Sequence, residues 1–255
     1  MSRVKEKYLV NITTTSLNNV EKTHDFTFKT SFLNLNPDSN YECALLSYSM
    51  WYSWYNITTL NNQFRYVVNG VVKTITIPSG QYGVNDISTY IQSQLLVNGD
   101  SQTGITIVGN YNLLKVQINL ESGYDVDFTI PNSIRGLLGY PSLLYENNGL
   151  VDLLITAPSP GNITNSIDAI SISCSILDSK YNITNNATSV SLHTFVPQSG
   201  PGTNLAQTIP TPIYLPISVS GNINSFNIRI TDQTNTNLVD LNGENVSLSM
   251  LIREV

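Results

Sequence analysis

Apolar and polar residues alternate along most of this chain with a period of two. That spacing puts one face of a β-strand in a core and the other in water. Near the C-terminus, Phe226, Ile228 and Ile230 alternate with Asn227 and Arg229, and Val246, Leu248, Met250 and Ile252 alternate with Ser247, Ser249 and Arg253. A polar connection rich in Asn and Asp, with one glycine at Gly243, joins the two runs. The pattern predicts two strands closing the chain, the last tied into a sheet.

The same alternation recurs at Tyr8, Val10 and Ile12, and at Phe26 and Phe28. Tyr41 to Trp51 is more continuously apolar, as a strand buried on both faces would be. Phe64 to Val68 and Val71 to Ile77 flank Asn69-Gly70, the dipeptide that tolerates positive φ twice, so a tight hairpin is expected there. Leu114, Val116, Ile118 and Leu120 read as one strand face. Tyr124, Val126, Phe128 and Ile130 read as another, with Asp125 and Asp127 pointing away. Ile170, Ile172, Cys174 and Ile176 alternate with serines, and Ile213, Leu215, Ile217 and Val219 do likewise, Pro212 and Pro216 marking that run as an edge or irregular strand.

Two segments have helical spacing. Ile87, Tyr90, Ile91 and Leu95 share a face, behind Asn85 or Asp86 as a cap. Asn132 to Gly139 reads as about two turns, capped by Asn132 or Ser133 and ended by Gly139. From Phe64 to about Tyr145 the expected order is strand, strand, helix, three strands, helix. The chain therefore parses as mainly β: an antiparallel sandwich built from residues 1–61 and 151–255, with a small α/β insertion at 62–150. Pro158 to Gly161, and Pro197 through Pro201 to Pro212, read as long loops.

At 255 residues the chain is long enough to bury roughly 70% of its unfolded surface. Only 12% of residues are charged and the net charge is -6, with Asn, Ser and Thr filling the polar positions. This composition argues against disorder and against a surface that wraps nucleic acid, which needs clustered cations. Any nucleic-acid contact would fall to the N-terminal arm, where Arg3, Lys5 and Lys7 are interrupted by Glu6. Cys43 and Cys174 both lie in strand-like runs and read as reduced core thiols, a disulfide between them being the other option. No run is long enough to span a membrane and no secretory signal is visible. The sequons at Asn11, Asn56, Asn162, Asn182, Asn186 and Asn245 are accordingly read as unglycosylated in a soluble protein made inside the cell.

No catalytic pattern emerges. His24 and His193 are far apart, neither is near a nucleophile elbow, and metal-ligand spacings and phosphate-binding loops are missing, so no cofactor or metal is expected. The aromatic run Trp51-Tyr-Ser-Trp-Tyr55 reads either as an exposed stacking platform or as a packed core or subunit-contact segment, and packing is the expectation.

Three segments carry a family resemblance: Ile75 to Tyr82 leading into the first helix, Phe128 to Tyr140, and Ile228 to Asp232 with Val239 to Glu244 and Ser247 to Arg253. In this order they resemble the penton (minor capsid) proteins of virophages and of related Polinton-type double-stranded DNA viruses. The resemblance runs from about Phe64 to the C-terminus. It implies a single jelly roll without enzymatic activity, assembled as a homopentamer at the fivefold vertices of an icosahedral virion. The implied neighbours are a double jelly-roll major capsid protein and other minor capsid or cement proteins. The protein would be made in the host cytoplasm, with the insertion as an outward-facing upper domain. Gly136, Leu137, Leu138 and Gly139, together with Asp240 and Gly243, mark the fold rather than an active site. On this reading Trp51, Trp54 and Tyr55, and the loop containing Pro197 and Pro201, are the candidate subunit contacts. A carbohydrate- or receptor-binding β-sandwich is the alternative.

Overall fold

The computed structural model describes residues 5–14, 25–149, 151–162, 167–178 and 190–255. His24, Arg3, Asn182 and Asn186 lie outside them. The chain divides into two compact units, residues 1–54 with 167–255, and residues 55–166. In chain order the first unit opens with β1 (Lys7–Thr13), β2 (Asp25–Leu35) and β3 (Tyr41–Trp51). The second unit holds β4 (Gln63–Val68), β5 (Val71–Thr76), α1 (Val84–Val97), β6 (Ile105–Asn110), β7 (Lys115–Leu120), β8 (Tyr124–Asp127), α2 (Arg135–Leu138), β9 (Leu144–Tyr145) and β10 (Leu153–Thr156). The chain then returns to the first unit with β11 (Ile170–Cys174), β12 (Val190–Phe195), β13 (Asn204–Thr208), β14 (Leu215–Pro216), β15 (Gly221–Asp232) and β16 (Ser247–Glu254).

The first unit has two antiparallel sheets. One runs β1-β16-β3-β13, with β14 also on β3, and the other runs β12-β11-β15-β2. With β14 counted as the continuation of β13, the first strand pairs with the last, the second with the seventh, the third with the sixth and the fourth with the fifth. Such a chain is one long antiparallel hairpin rolled into two layers, which is the jelly roll. Its inward faces meet in one core, where Ile12, Leu45, Met50, Leu248 and Ile252 of one sheet join Leu33, Ile172, Phe226 and Ile230 of the other.

The two closing strands form as their alternation predicts, but they are not partners of each other. β15 pairs with β11 and β2, while β16 pairs with β1 and β3. The polar connection between them therefore crosses from one sheet to the other. Three further expectations change. Ser171 and Ser173 are 1% exposed, so β11 is buried on both faces, and the Ser171 hydroxyl lies 2.8 Å from that of Ser191. The run from Ile213 to Val219 is not an alternating strand: only Leu215 and Pro216 pair with β3, and Ile213 is 72% exposed. Its prolines explain this. Ile209 donates its N–H to the Leu46 carbonyl and Ile217 to that of Tyr41, but Pro210 and Pro212 have no N–H to give, so the edge strand breaks between them. Leu114 leaves its predicted strand face, sitting at φ 54 in the turn before β7 with 73% exposure.

In the second unit β5-β4-β8-β9 form one sheet and β10-β7-β6 another, with the element order read from the sequence. Asn69 and Gly70 take φ 50 and 79 in the expected hairpin. Gly139 ends α2 at φ 82 as expected, but neither helix has the expected residue at its N-cap. Gly83 is the N-cap of α1, its N–H donating to Asp86 Oδ2 at 2.8 Å. α2 is only four residues long with Ile134 at its N-cap, since Asn132 is in the left-handed region. Ile87, Ile91 and Leu95 bury one face of α1. Ser88 from the same helix accepts the Ile107 N–H at 2.9 Å, closing an otherwise open edge of β6. Asn56 is fully buried and bonded both ways to the Tyr82 backbone, which makes that sequon unavailable for a glycan.

Candidate subunit-contact surface

The candidate contact residues of the first unit converge because β3 carries its pairing past its own end. Trp51 stands opposite Asn204 in the β3–β13 register. Beyond it, Tyr52 donates its N–H to Thr203 O at 2.9 Å and accepts from Gly202 N at 2.8 Å. These bonds fasten the aromatic run to the loop that contains Pro197 and Pro201. The next residue, Ser53, donates its hydroxyl to the Leu241 carbonyl at 2.5 Å, and Asn242 Nδ2 donates to the Ser53 carbonyl. The turn from Asp240 to Gly243 therefore joins the same patch. It is held by Asp240 Oδ1, which accepts the Asn242 N–H at 2.8 Å, and by positive φ at Asn242 and Gly243. Three segments far apart in sequence thus meet at one end of the jelly roll.

Burial divides the aromatic run. Trp54 is 2% exposed and stacks on buried Tyr52 with ring centroids 3.9 Å apart. Trp51 is 41% exposed, and Tyr55, the first residue of the second unit, is 40% exposed. Alternation along an extended chain explains the split, since residues 51, 53 and 55 fall on one side and 52 and 54 on the other. Trp51 and Pro201 are exposed and Pro197 is half-buried, so these three can meet a partner whereas Trp54 cannot. In the second unit, Leu137 and Leu138 of α2 are buried in its core, Gly136 is exposed, and Gly139 takes φ 82.

Residues that the sequence reading did not single out lie beside the patch. Tyr48, Phe195, Ser199, Asn204 and Gln207 line a cleft of about 200 Å3 together with Pro197. Tyr48 stacks on Phe195 at 4.3 Å and donates its hydroxyl to Gln207 Oε1 at 2.9 Å. Burial pushes that phenol up to about 12. Tyr48 could have been suspected only by knowing that β12, from the other sheet, folds against β3, a contact between layers that no alternation count reveals.

His193 completes the aromatic group, 5.8 Å from Tyr48 and 6.0 Å from Phe195. Burial among these rings holds its imidazole below the ordinary value. The neutral form is favoured only when the chain is folded. Below about pH 6.5 the unfolded chain takes up a proton that the folded one resists, so stability falls as pH drops through that value. Urea midpoints should therefore decline between pH 7.5 and 5.5, and decline less steeply in His193→Phe.

Among the described residues at this end of the jelly roll, no nucleophile is paired with a base. Cys43 and Cys174 are buried and unpaired, and burial pushes the Cys174 thiol up to about 12. Among the described residues no group of three or more His, Cys, Asp or Glu could hold a metal ion, and no helix is long and apolar enough to cross a membrane. What the patch offers is exposed aromatic and aliphatic surface with neutral hydrogen-bonding groups.

No protein-family model and no curated protein matches this chain. Among solved structures it is similar to the crystal structure of the mavirus penton protein, at 15% identity and a TM-score of 0.48, over 98% of this chain and 100% of that one. It is also similar to a chain of the Sputnik virophage determined by cryo-EM, at 14% identity and a TM-score of 0.44, over 97% of each.

Proposed function

We propose that this chain is a structural, non-enzymatic capsid protein: a penton capsomer, assembled as a homopentamer at the fivefold vertices of an icosahedral virion. The observation that carries the reading is the pairing order of the first unit. A rolled hairpin is interrupted between its third and fourth strands by a separate folding unit, and of the three segments that resemble the penton family two fall in that inserted unit and one in the hairpin. Ile75 to Tyr82 runs from β5 toward α1, and Phe128 to Tyr140 runs into and past α2. Ile228 to Arg253 supplies β15, the sheet-crossing turn and β16.

A ring closes when one face of a subunit meets a different face of the next. Low charge suits such a contact, because Asn, Ser and Thr can hydrogen-bond across it without stripping water from ions. Trp51, Tyr55, Pro197 and Pro201 are assigned to subunit contacts, and the second unit to the outward-facing upper domain. The neighbours in the shell are a double jelly-roll major capsid protein and other minor capsid or cement proteins, after synthesis in the host cytoplasm.

One observation favours the receptor- or carbohydrate-binding alternative, the cleft beside Tyr48 and Phe195 with its amide groups. Yet Tyr48 is 6% exposed and its ring lies against Phe195, so it offers no free face for a sugar to stack on. Tagged copies of the chain, located by cryo-EM of assembled particles, test the proposal. Tag density at the fivefold vertices supports it, and density on the facets or on projecting fibres rejects it.

A further inference from the structure

Asn-Gly occurs four times in this chain, at Asn69-Gly70, Asn98-Gly99, Asn148-Gly149 and Asn242-Gly243. The dipeptide is chemically distinct because glycine has no Cβ to shield its own backbone nitrogen. That nitrogen can attack Cγ, the amide carbon of the preceding asparagine. The attack needs two freedoms. The asparagine amide must be able to swing back over the chain, and the glycine N–H must not be tied up in a hydrogen bond.

Three of the four pairs lack at least one of these. Asn98 Nδ2 donates to the Tyr66 hydroxyl at 2.9 Å and the Gly99 N–H donates to Leu96 O at 3.0 Å, so both groups are fixed at the C-terminal end of α1. Gly149 donates its N–H to Asn147 Oδ1 at 3.2 Å, and Asn147 is itself held by the Leu120 carbonyl, to which its Nδ2 donates at 3.1 Å. Asn242 Nδ2 donates to the Ser53 carbonyl, which holds that amide in the sheet-crossing turn.

Asn69-Gly70 is different. These two residues form the whole loop between β4 and β5, both at positive φ and both exposed. The Asn69 backbone N–H donates to Gly123 O at 3.2 Å, a bond that anchors the main chain and leaves the amide alone. Among the described residues neither the Asn69 side chain nor the Gly70 N–H makes a hydrogen bond. The amide lies beside Gly123, which has no side chain to hem it in, and no atom stands within 4 Å of where a Cβ on Gly70 would be. The turn uses Asn and Gly because both accept the left-handed region, and the reactivity comes with them.

We propose that Asn69 is a site of self-modification, converted in the folded chain to aspartate and isoaspartate through a cyclic imide with Gly70. The Gly70 nitrogen gives its proton to solvent base and bonds to Asn69 Cγ, and the side-chain nitrogen leaves as ammonia. Water then adds to one of the two imide carbonyls. Breaking the new bond at Cγ restores the main chain and leaves an aspartate. Breaking the original peptide bond leaves isoaspartate, with the main chain running through Cβ and Cγ. That product lengthens a loop whose two residues are set by a mirror-image turn, so the closing pair Val68–Val71 should open. Val68 also pairs with Tyr124, so the loosening should reach the end of β8.

Peptide mapping by mass spectrometry tests this on the folded 255-residue chain, aged in mildly alkaline buffer. The peptide containing Asn69 should be the first of the four to gain the mass difference between an OH and an NH2, faster as pH rises, and isoaspartate methyltransferase should label it. In chain kept unfolded in urea, all four peptides should gain at similar rates. Hydrogen exchange at the Val71 amide should quicken as the folded sample ages. Asn69→Gly keeps residues suited to the same turn but has no amide, so its Val71 exchange should stay constant with age. A first gain at Asn98, Asn148 or Asn242, equal rates at all four sites in the folded chain, or no gain at Asn69 while the unfolded chain reacts, overturns the proposal.

Discussion

Trp54→Ala should destabilise the jelly-roll unit by about 3–5 kcal/mol, the range for truncating a large buried aromatic. Trp54 is 2% exposed and lies flat against Tyr52, so the substitution empties a cavity and strips one face of its neighbour. Trp51→Ala, three residues earlier, should change stability by less than about 1 kcal/mol, because that ring is already 41% in solvent. Its effect belongs in assembly, where the ring of subunits should weaken while the monomer stays folded. Urea unfolding followed by circular dichroism reads the first quantity, and sedimentation velocity reads the second. If Trp51→Ala unfolds the protein, or Trp54→Ala leaves stability untouched, the division of the aromatic run into packed and exposed positions is wrong.

A second pair of substitutions divides the short motif around α2. Gly139 has φ 82, and a methyl group added there would sit 2.3 Å from the Ser159 carbonyl oxygen, a backbone atom that cannot swing away. Gly139→Ala should therefore cost about 2 kcal/mol or more, from left-handed strain with the clash added. Gly136, three residues earlier and within α2, has nothing within 4 Å of the same added methyl group and no positive φ. Gly136→Ala should stabilise by about 0.4–1 kcal/mol, chiefly by restricting the unfolded chain. Hydrogen exchange at Ile118 and Val126 in the core of this unit, together with urea midpoints, should show shifts of opposite sign. Equal shifts would mean that close backbone packing at Gly139 does not hold this helix in place.

Much of the architecture was legible because each strand has one wet face and one dry face. β4, β7, β8 and β16 show that alternation in burial as cleanly as in sequence. The Asn69-Gly70 hairpin was legible for a different reason, since its two residues are among the few that accept positive φ. Sequence reading failed where the second face was also covered. The serines of β11 are buried beside Ser191 and Thr194, so their polarity said nothing about water. It failed again at Leu114, whose apolar side chain suggested a core position although the backbone turns there. The pairing of strands across the two sheets has no local signature, so nothing in the sequence said that β15 and β16 belong to different layers.

The candidate contact surface was legible only in pieces. Trp51 and the proline-rich loop stood out by composition, but nothing in sequence said that Gly202 and Thr203 bond to Tyr52, or that Ser53 ties in the Asp240 to Gly243 turn. The cleft lined by Tyr48 and Phe195 depends on contacts between segments about 150 residues apart, and side-chain type alone does not reveal those. The candidate contact residues carry no reactive group, so only their exposure in the folded chain distinguishes them from core.

The most direct test is the mass of this purified 255-residue chain under native conditions, by mass spectrometry with negative-stain images of the same sample. A closed ring predicts a dominant species near 140 kDa, five times the 28.1 kDa chain, with subunits arranged about a fivefold axis. A trimer, or a monomer at 28.1 kDa that persists at high concentration, would contradict it.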